Sequence, residues 1–571
     1  MRIFGPAGAI ALASCIAAAA VSAPLHGQSP AAQQPPLVQI LASELERNFS
    51  ILREKADPPP YYISYRVTDL DSGTLSASMG AITQQGQNRR RNLDVSVRAG
   101  SPKLDNFHLL KGERPRFTAS AALPVEDSAA AIARIAWRET DRSWRAAAQR
   151  LMQVQSAIRM QAPDAETADL PDFSEEAPAS GFAGVPQHRF SPEAWSAKLK
   201  KWSLIFAEYS PLISSNITLR WRREVRTFLS TEGTRVRHGR NFYHLEISAR
   251  AKGYDGNDVT SYELFDAEDP ARLPADEAVE KAVRRIGGQL TALLRAPAAE
   301  PFVGPAILSG RAAGVFFHEI FGHRIEGHRQ RDETEGQTFA KSAGKPVLPE
   351  FLSVYSDPTL RRAAGADLNG WYDFDDEGVP ARKVTVVENG ILKTFLLSRL
   401  PIPGFPRSNG HGRAQPGFEP VSRQANLIVE SSRQVSPDEL RELLRTEIRR
   451  QNKPYGLYFE QVSGGFTATR RGGAQAFTVI PLVVYRVFAD GRPDELIRGA
   501  DIVGTPLASF SKILATSNRP EVFNGYCGAE SGDVPVSVVA PAVLVAEIEI
   551  QRKPESKDLG PILPRPPAEG R

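Results

Sequence analysis

His318-Glu319-Ile320-Phe321-Gly322-His323-Arg324-Ile325-Glu326-Gly327-His328 holds three of the chain's nine histidines. Two histidines at i and i+4 lie about 40° apart around a regular helix and can grip one zinc ion, as in the common H-E-x-x-H pattern. Here His318 and His323 are spaced i, i+5, which on an ideal helix turns them about 140° apart. A regular helix therefore cannot chelate through this pair. A wider turn of the π type would return both imidazoles to one face, and Gly322 would ease that distortion. The spacing thus predicts a local irregularity together with a metal. Glu319, beside the first histidine, has the place of a general base that takes a proton from an attacking water. The bland alternative, hydrogen-bonded histidines beside a solvated glutamate, fits the spacing about equally well.

The rest of the chain sets the context. Its 571 residues, 41% hydrophobic and 24% charged, suit a soluble globular protein of two or more domains and exclude collagen, coiled-coil and disulfide-scaffold readings. A net charge of +4 from 70 basic and 66 acidic residues gives no sign of a nucleic-acid partner. Arg2, the apolar run 7–21 and the small residues after it have the order of a secretory leader, so a signal peptide over 1–27 and a periplasmic or secreted location are expected. Leu12-Ala13-Ser14-Cys15 offers a lipoprotein signal as the variant of this reading. No later stretch reaches the ~18 uncharged apolar residues of a transmembrane helix. If Cys15 leaves with the leader, Cys527 stands alone, either as a small buried hydrophobe or as a thiolate metal ligand.

A Gln/Pro-rich spacer, 28–36, precedes an amphipathic helix over 37–55 and alternating strands over 61–97, with Arg89-Arg90-Arg91 in a solvated turn. Trp137, Trp144, Leu151 and Ile158 recur every seven residues in a helical pattern over 127–160, enough to press one face against a neighbour or a second subunit, with core packing the default for the tryptophans. Residues 163–181 read as a surface loop or insertion. Strands follow within 216–251, then a helix over 276–295 ended by Pro297. A boundary near 299–305 gives an N-terminal α+β domain over 37–298, a β-rich C-terminal domain over 299–553 and a tail over 554–571. The second domain has strands at 383–387, 391–397, 477–488 and 534–550, and a helix begun by Ser436, Pro437 and Glu439.

The segment from Gly314 through His318-Glu319-Ile320-Phe321-Gly322-His323 to Gly327 resembles the signature of the TldD/PmbA family, whose TldD members carry H-E-x-x-x-H. Asp375-Asp376-Glu377-Gly378-Val379-Pro380, Glu388-Asn389-Gly390-Ile391-Leu392, Ser408-Asn409-Gly410-His411-Gly412-Arg413 and Asn524-Gly525-Tyr526-Cys527-Gly528 resemble its later blocks, in order. The resemblance implies a two-domain α+β fold, an N-terminal mixed sheet with long helices beside a β-rich catalytic domain. It also implies a metallopeptidase in which His318, His323 and Cys527 hold the metal and Glu319 is catalytic. Two imidazoles, a thiolate and an open fourth position suit one catalytic zinc per subunit, and ligand type alone leaves iron open. Unfolded or extended peptides are the implied substrates. A homodimer, or a heterodimer with a PmbA-like homologue lacking the motif, is the implied assembly.

Several residues are secondary candidates. Glu326 is expected to support the histidine turn. His328 stands where an acidic residue is expected in the cytoplasmic relatives, and three readings are open to it: a group bonded behind a metal ligand, a surface histidine or a competing ligand. A closed four-ligand shell would favour the alternative function, a non-catalytic peptide-binding or folding-assistance protein with a structural metal. Asn409 and Arg413 are candidates to orient substrate or brace the metal loop. Gly464 and Gly465, with Gly472-Gly473, would let a substrate backbone approach closely, against a reading as ordinary turns.

Overall fold

Alternating residues over 60–101 form a long hairpin, Pro60–Ser78 and Ala81–Ser101, closed by Met79 and Gly80, both with positive φ as a tight two-residue turn requires. This computed structural model describes residues 34–110, 119–160, 170–187, 190–253, 255–471, 477–503, 510–554 and 556. The leader with Cys15, most of the 28–36 spacer, 163–169, Gly472, Gly473 and nearly all of the tail lie outside the described residues.

Leu212–Ser230 pairs with the first strand of the hairpin, and Arg235–Lys252 and Asp258–Ala267 follow in an eight-stranded, mainly antiparallel sheet. One face is apolar. There the helices Pro36–Lys55 and Ala129–Met160 pack Leu41, Leu45, Ile132 and Leu151 against Ile63, Tyr65 and Val95. The helices Pro192–Leu204 and Asp276–Arg295 pack Trp202, Ile286 and Leu290 against Leu219, Leu245 and Ile247. The opposite face carries polar residues at the alternate positions, among them Asn216, Arg226, Arg240 and Glu246, and turns toward the second half of the chain.

That half is built on a twelve-stranded sheet in which Phe302–Leu308, Gly456–Thr467, Phe477–Val487, Ala500–Val503 and Gly532–Arg552 pair in a closed cycle. Closure removes exposed edges among these five strands. The two sheets are clamped by buried polar contacts. Arg226 Nη1 lies 2.5 Å from Asp376 Oδ1, Arg240 Nη2 donates to Asn369 Oδ1 at 3.0 Å, and Tyr262 donates to the Val462 carbonyl at 2.5 Å. Ser436 caps the helix Pro437–Arg450, its Oγ accepting from the Glu439 amide at 3.2 Å. Among the described residues no helix is long and apolar enough to cross a membrane.

Four expectations are corrected. In the long helix Leu151 is buried and Trp144 packs partly buried on the same core as expected, but Trp137 is 48% and Ile158 37% exposed, because a seven-residue repeat drifts about 20° per heptad on a straight helix. Arg89-Arg90-Arg91 lies within a strand, and Arg91 is buried against Asp69 and Asp127. The described part of 163–181 is no simple surface loop, since Asp172 and Phe173 are buried and Arg331 Nη2 donates to Asp172 Oδ1 at 2.7 Å. Of 391–397 only Ile391–Leu392 is strand, because Leu396 turns to bond the histidine segment, accepting from the Gly327 amide and donating to the Ile325 carbonyl.

Candidate metal centre

Ser309 starts the helix Gly310–Ile320, accepting from the Ala312 amide at 3.2 Å. Every residue of the helix but Arg311 is buried, with Phe316 and Phe317 packed on Phe510 at ring separations of 5.3 and 5.4 Å. His318 and Glu319 therefore sit at the end of a rigid, enclosed element.

The expected π turn does not form. The α-helix stops at Phe321, and Gly322–Ile325 continue as a tighter 3₁₀ turn that carries His323. Side chains take the carbonyls a continued helix would use. Gln424 Nε2 donates to the His318 carbonyl at 3.3 Å, and Arg324 Nη1 donates to the carbonyls of Glu319 at 3.2 Å and Ile320 at 2.8 Å. Gly322 leaves the room that the Gln424 amide occupies: a Cβ there would lie 1.9 Å from Gln424 Oε1, so that side chain would have to move off the His318 carbonyl.

The break brings the two imidazoles together, with ring centres 5.0 Å apart and planes at 80°. Cys527, on the strand Ile513–Ala529 and paired with Val534, places Sγ 3.4 Å from His323 Nε2. The donor atoms of His318, His323 and Cys527 lie within 4.8 Å of one another, and all three residues are buried. A tetrahedral zinc with ordinary Zn–S and Zn–N bonds separates its sulfur and nitrogen ligands by about 3.6 Å. The donor set thus fits such an ion in type and spacing. Among the described residues, these three are the group brought together in this way.

Charge is organised around them. Burial favours the neutral form of Glu319 most strongly, the neighbouring imidazoles oppose it, and the carboxyl is raised above its ordinary value. Glu319 Oε2 lies 3.9 Å from His323 Nε2. Burial works against charge on His323, but Cys527 and Glu326 lift the imidazole to about 10. Burial likewise opposes the Cys527 thiolate, yet His323, His318 and Arg423 hold the thiol well below its usual value. Thiolate character is what a soft metal ligand needs.

Glu326 is fully buried, its Oε2 3.1 Å from His323 Nδ1 and accepting from Arg329 Nε at 2.8 Å. That bond orients the ring and leaves Nε2 toward the sulfur. His328 is buried, contrary to the surface reading, and its Nε2 is bonded to Glu530. It is outside the donor group.

Asn409 and Arg413 do not reach the site. Asn409 braces a loop, accepting from the Leu397 amide and donating to the Phe395 carbonyl, each at 2.8 Å. Arg413 is buried, donates to the Gln424 carbonyl at 2.5 Å and lies over the Tyr372 ring. Of their two expected roles, substrate contact gives way to bracing. Gly464 and Gly465 do line the cavity. Gly464 has a φ of 150°, next to a register shift in its strand, so glycine there serves a bulge that faces open space.

His318, Glu319, His323 and Cys527 open onto a cavity of about 1310 Å³ between the two sheets, whose far wall includes Asn216, Glu246 and Tyr262. Sequence reasoning missed Arg423 and Gln424, which contact Cys527 and His318 from a distant segment, Arg324, which folds back on the helix end, and Glu530, which bonds His328 and Arg329. A lone charged residue in a polar stretch carries no local signal of burial.

The chain matches the model of the PmbA/TldA metallopeptidase C-terminal domain over 303–552 and that of the central domain over 192–286. A metalloprotease of Methanocaldococcus jannaschii is 28% identical over 54% of this chain and 64% of its own length; one of Archaeoglobus fulgidus is 30% identical over 50% and 59%. The chain thus spans about three fifths of these relatives. A zinc metalloprotease TldD homologue of Saccharolobus solfataricus is 28% identical over 43% of this chain and 51% of its own. Among solved structures, TldE of Thermococcus kodakarensis superposes with a TM-score of 0.62 at 14% identity, covering 90% of this chain and all of that one. A Thermotoga maritima protein described as a modulator of a DNA gyrase gives 0.59 at 16%, covering 89% and 99%.

Proposed function

The chain belongs to the TldD/PmbA family of metallopeptidases, and we propose that it hydrolyses unfolded or extended peptides in the cavity between its sheets. A zinc ion held by His318, His323 and Cys527 would supply a Lewis acid for the peptide carbonyl and for water. Glu319, with its raised proton affinity, accepts a proton from the attacking water and returns it to the leaving nitrogen. Glu326 holds His323 in orientation from the side away from the sulfur. The strand Gly456–Thr467 offers main-chain groups at the bulge around Gly464, where an extended peptide can add as a further strand.

One observation carries this reading: three buried donors converge beside Glu319 on the wall of a large cavity. The bond from His328 to Glu530 supports an open fourth position, and with it hydrolysis over a closed structural site. A secretory leader over 1–27 and pairing with a second copy or a PmbA-like homologue complete the proposal.

The test is incubation with a denatured peptide pool, comparing wild type with Glu319→Gln at matched zinc content. The variant is expected to cleave about 10²–10⁴-fold more slowly. Equal product from both would remove Glu319 as the base. No cleavage by the zinc-loaded wild type, alone or with a homologous partner, would favour peptide binding without hydrolysis.

A further inference from the structure

We infer that Arg423 is a positioning residue that sets the distance between the histidine turn and the cysteine strand. The inference rests on the metal-centre reading above.

His323 and Cys527 are 204 residues apart in the chain, so their approach must be fixed by contacts outside the donors themselves. Arg423 is fully buried, just after the short strand Val421–Ser422. Its Nε lies 3.4 Å from Glu326 Oε1, and Glu326 Oε2 is 3.1 Å from His323 Nδ1. Its Nη2 donates to the Cys527 carbonyl at 2.5 Å. Its Nη1 donates to Ser531 Oγ at 2.8 Å and to the Gly532 carbonyl at 3.0 Å, holding the turn that follows the cysteine. One planar guanidinium is therefore hydrogen-bonded to the cysteine side of the donor set and in buried ion contact with the carboxylate that supports His323.

The next residue completes the pattern. Gln424 donates to the His318 carbonyl at 3.3 Å, and Arg413 secures the Gln424 backbone. Arg423-Gln424 thus reaches all three donor residues, directly at His318 and Cys527 and through Glu326 at His323. Arg329 makes a second strut, bonding Glu326 Oε2 at 2.8 Å and Glu530 Oε2 at 3.0 Å, but it has no such contact with Cys527 itself. A rigid fork with donors on both edges is what such bridging needs, and a lysine ammonium cannot reproduce it.

The test uses cobalt(II) as a spectroscopic substitute for zinc in the full chain. Arg423→Gln and Arg423→Lys are compared with wild type by competition binding and by the thiolate-to-cobalt absorption band, with far-ultraviolet circular dichroism to establish folding. Folded Arg423→Gln is expected to bind cobalt about 10–100-fold more weakly, with a diminished thiolate band, and Arg423→Lys to recover only part of both. An unchanged affinity and band would overturn the inference. If Arg423→Gln does not fold, Arg423→Lys and Glu326→Gln are placed in a double-mutant cycle on cobalt affinity. Coupled losses support the bridge, and additive ones overturn it. Failure of wild type to bind cobalt at all would instead overturn the metal-centre reading from which the inference starts.

Discussion

Glu319 lies in the last turn of the α-helix and Glu326 follows the 3₁₀ turn, and their surroundings push their proton affinities in opposite directions. Burial dominates at Glu319 and raises it; at Glu326 burial also opposes charge, but His323, Arg329 and Arg423 overcome it and depress the carboxyl. The consequences for stability have opposite signs. The contribution of Glu319 is present below the ordinary value of 4.5 and is lost as pH rises through its raised folded value. Metal-free Glu319→Gln should therefore unfold in urea at or above the wild-type midpoint near pH 7, with the advantage vanishing in acid. Glu326 contributes stability that is full above 4.5 and lost as pH falls through its depressed folded value. Glu326→Gln leaves buried cations without their counter-charge and should cost about 3–5 kcal/mol near pH 7. The reverse order of the two midpoints would contradict this electrostatic account.

At the scale of elements, register decides which substitutions matter. On the helix Ala129–Met160, Leu151 is 3% exposed and Trp137 48%, although both fall on the same seven-residue pattern. Leu151→Ala should cost about 2–5 kcal/mol in thermal or urea unfolding; Trp137→Ala should stay within about 0.5 kcal/mol, as surface changes usually do. Equal losses would mean that a partner covers Trp137 in solution. At the histidine break, a Cβ on residue 322 collides with the Gln424 side chain. Gly322→Ala should cost about 1–3 kcal/mol and release bound zinc, measured by calorimetry and metal analysis. The break was legible in the i, i+5 spacing, because no regular helix aligns those rings. Its form was not, because the α-to-3₁₀ switch depends on Gln424, about a hundred residues away, and on the Arg324 side chain folding back over the helix end.

For the whole molecule, the cavity exists because polar residues on one face of the first sheet meet the loops of the second half. Arg226 is central to that contact, held between Glu224 and Asp376, with burial opposing its charge and the two carboxylates raising its affinity for the proton. Asp376→Ala should cost about 3–5 kcal/mol of stability, read as a fall in the urea midpoint; an unchanged midpoint would show that the clamp contributes nothing. The three long helices were readable from periodicity, since each buries one face against a sheet, and so were the strands within 61–97, 216–251, 477–488 and 534–550; the helix Pro192–Leu204 and the strands Gly456–Thr467 and Ile513–Ala529 carried no such signal. The donor histidines were readable from their crowding. The lone Cys527 was open between a buried hydrophobe and a ligand until the family resemblance set it on the metal, and Arg423, Gln424 and Glu530 stayed hidden because their partners are distant in sequence. For Asn409 and Arg413 the sequence leaves orienting substrate and bracing both open, and their contacts are bracing ones, Asn409 with the Leu397 amide and the Phe395 carbonyl and Arg413 with the Gln424 carbonyl. Zinc-edge X-ray absorption on the reconstituted full chain tests the central claim most directly. A shell with one sulfur at about 2.3 Å and two imidazole nitrogens at about 2.0–2.1 Å is predicted. A shell of nitrogen and oxygen alone, with no sulfur, would contradict it.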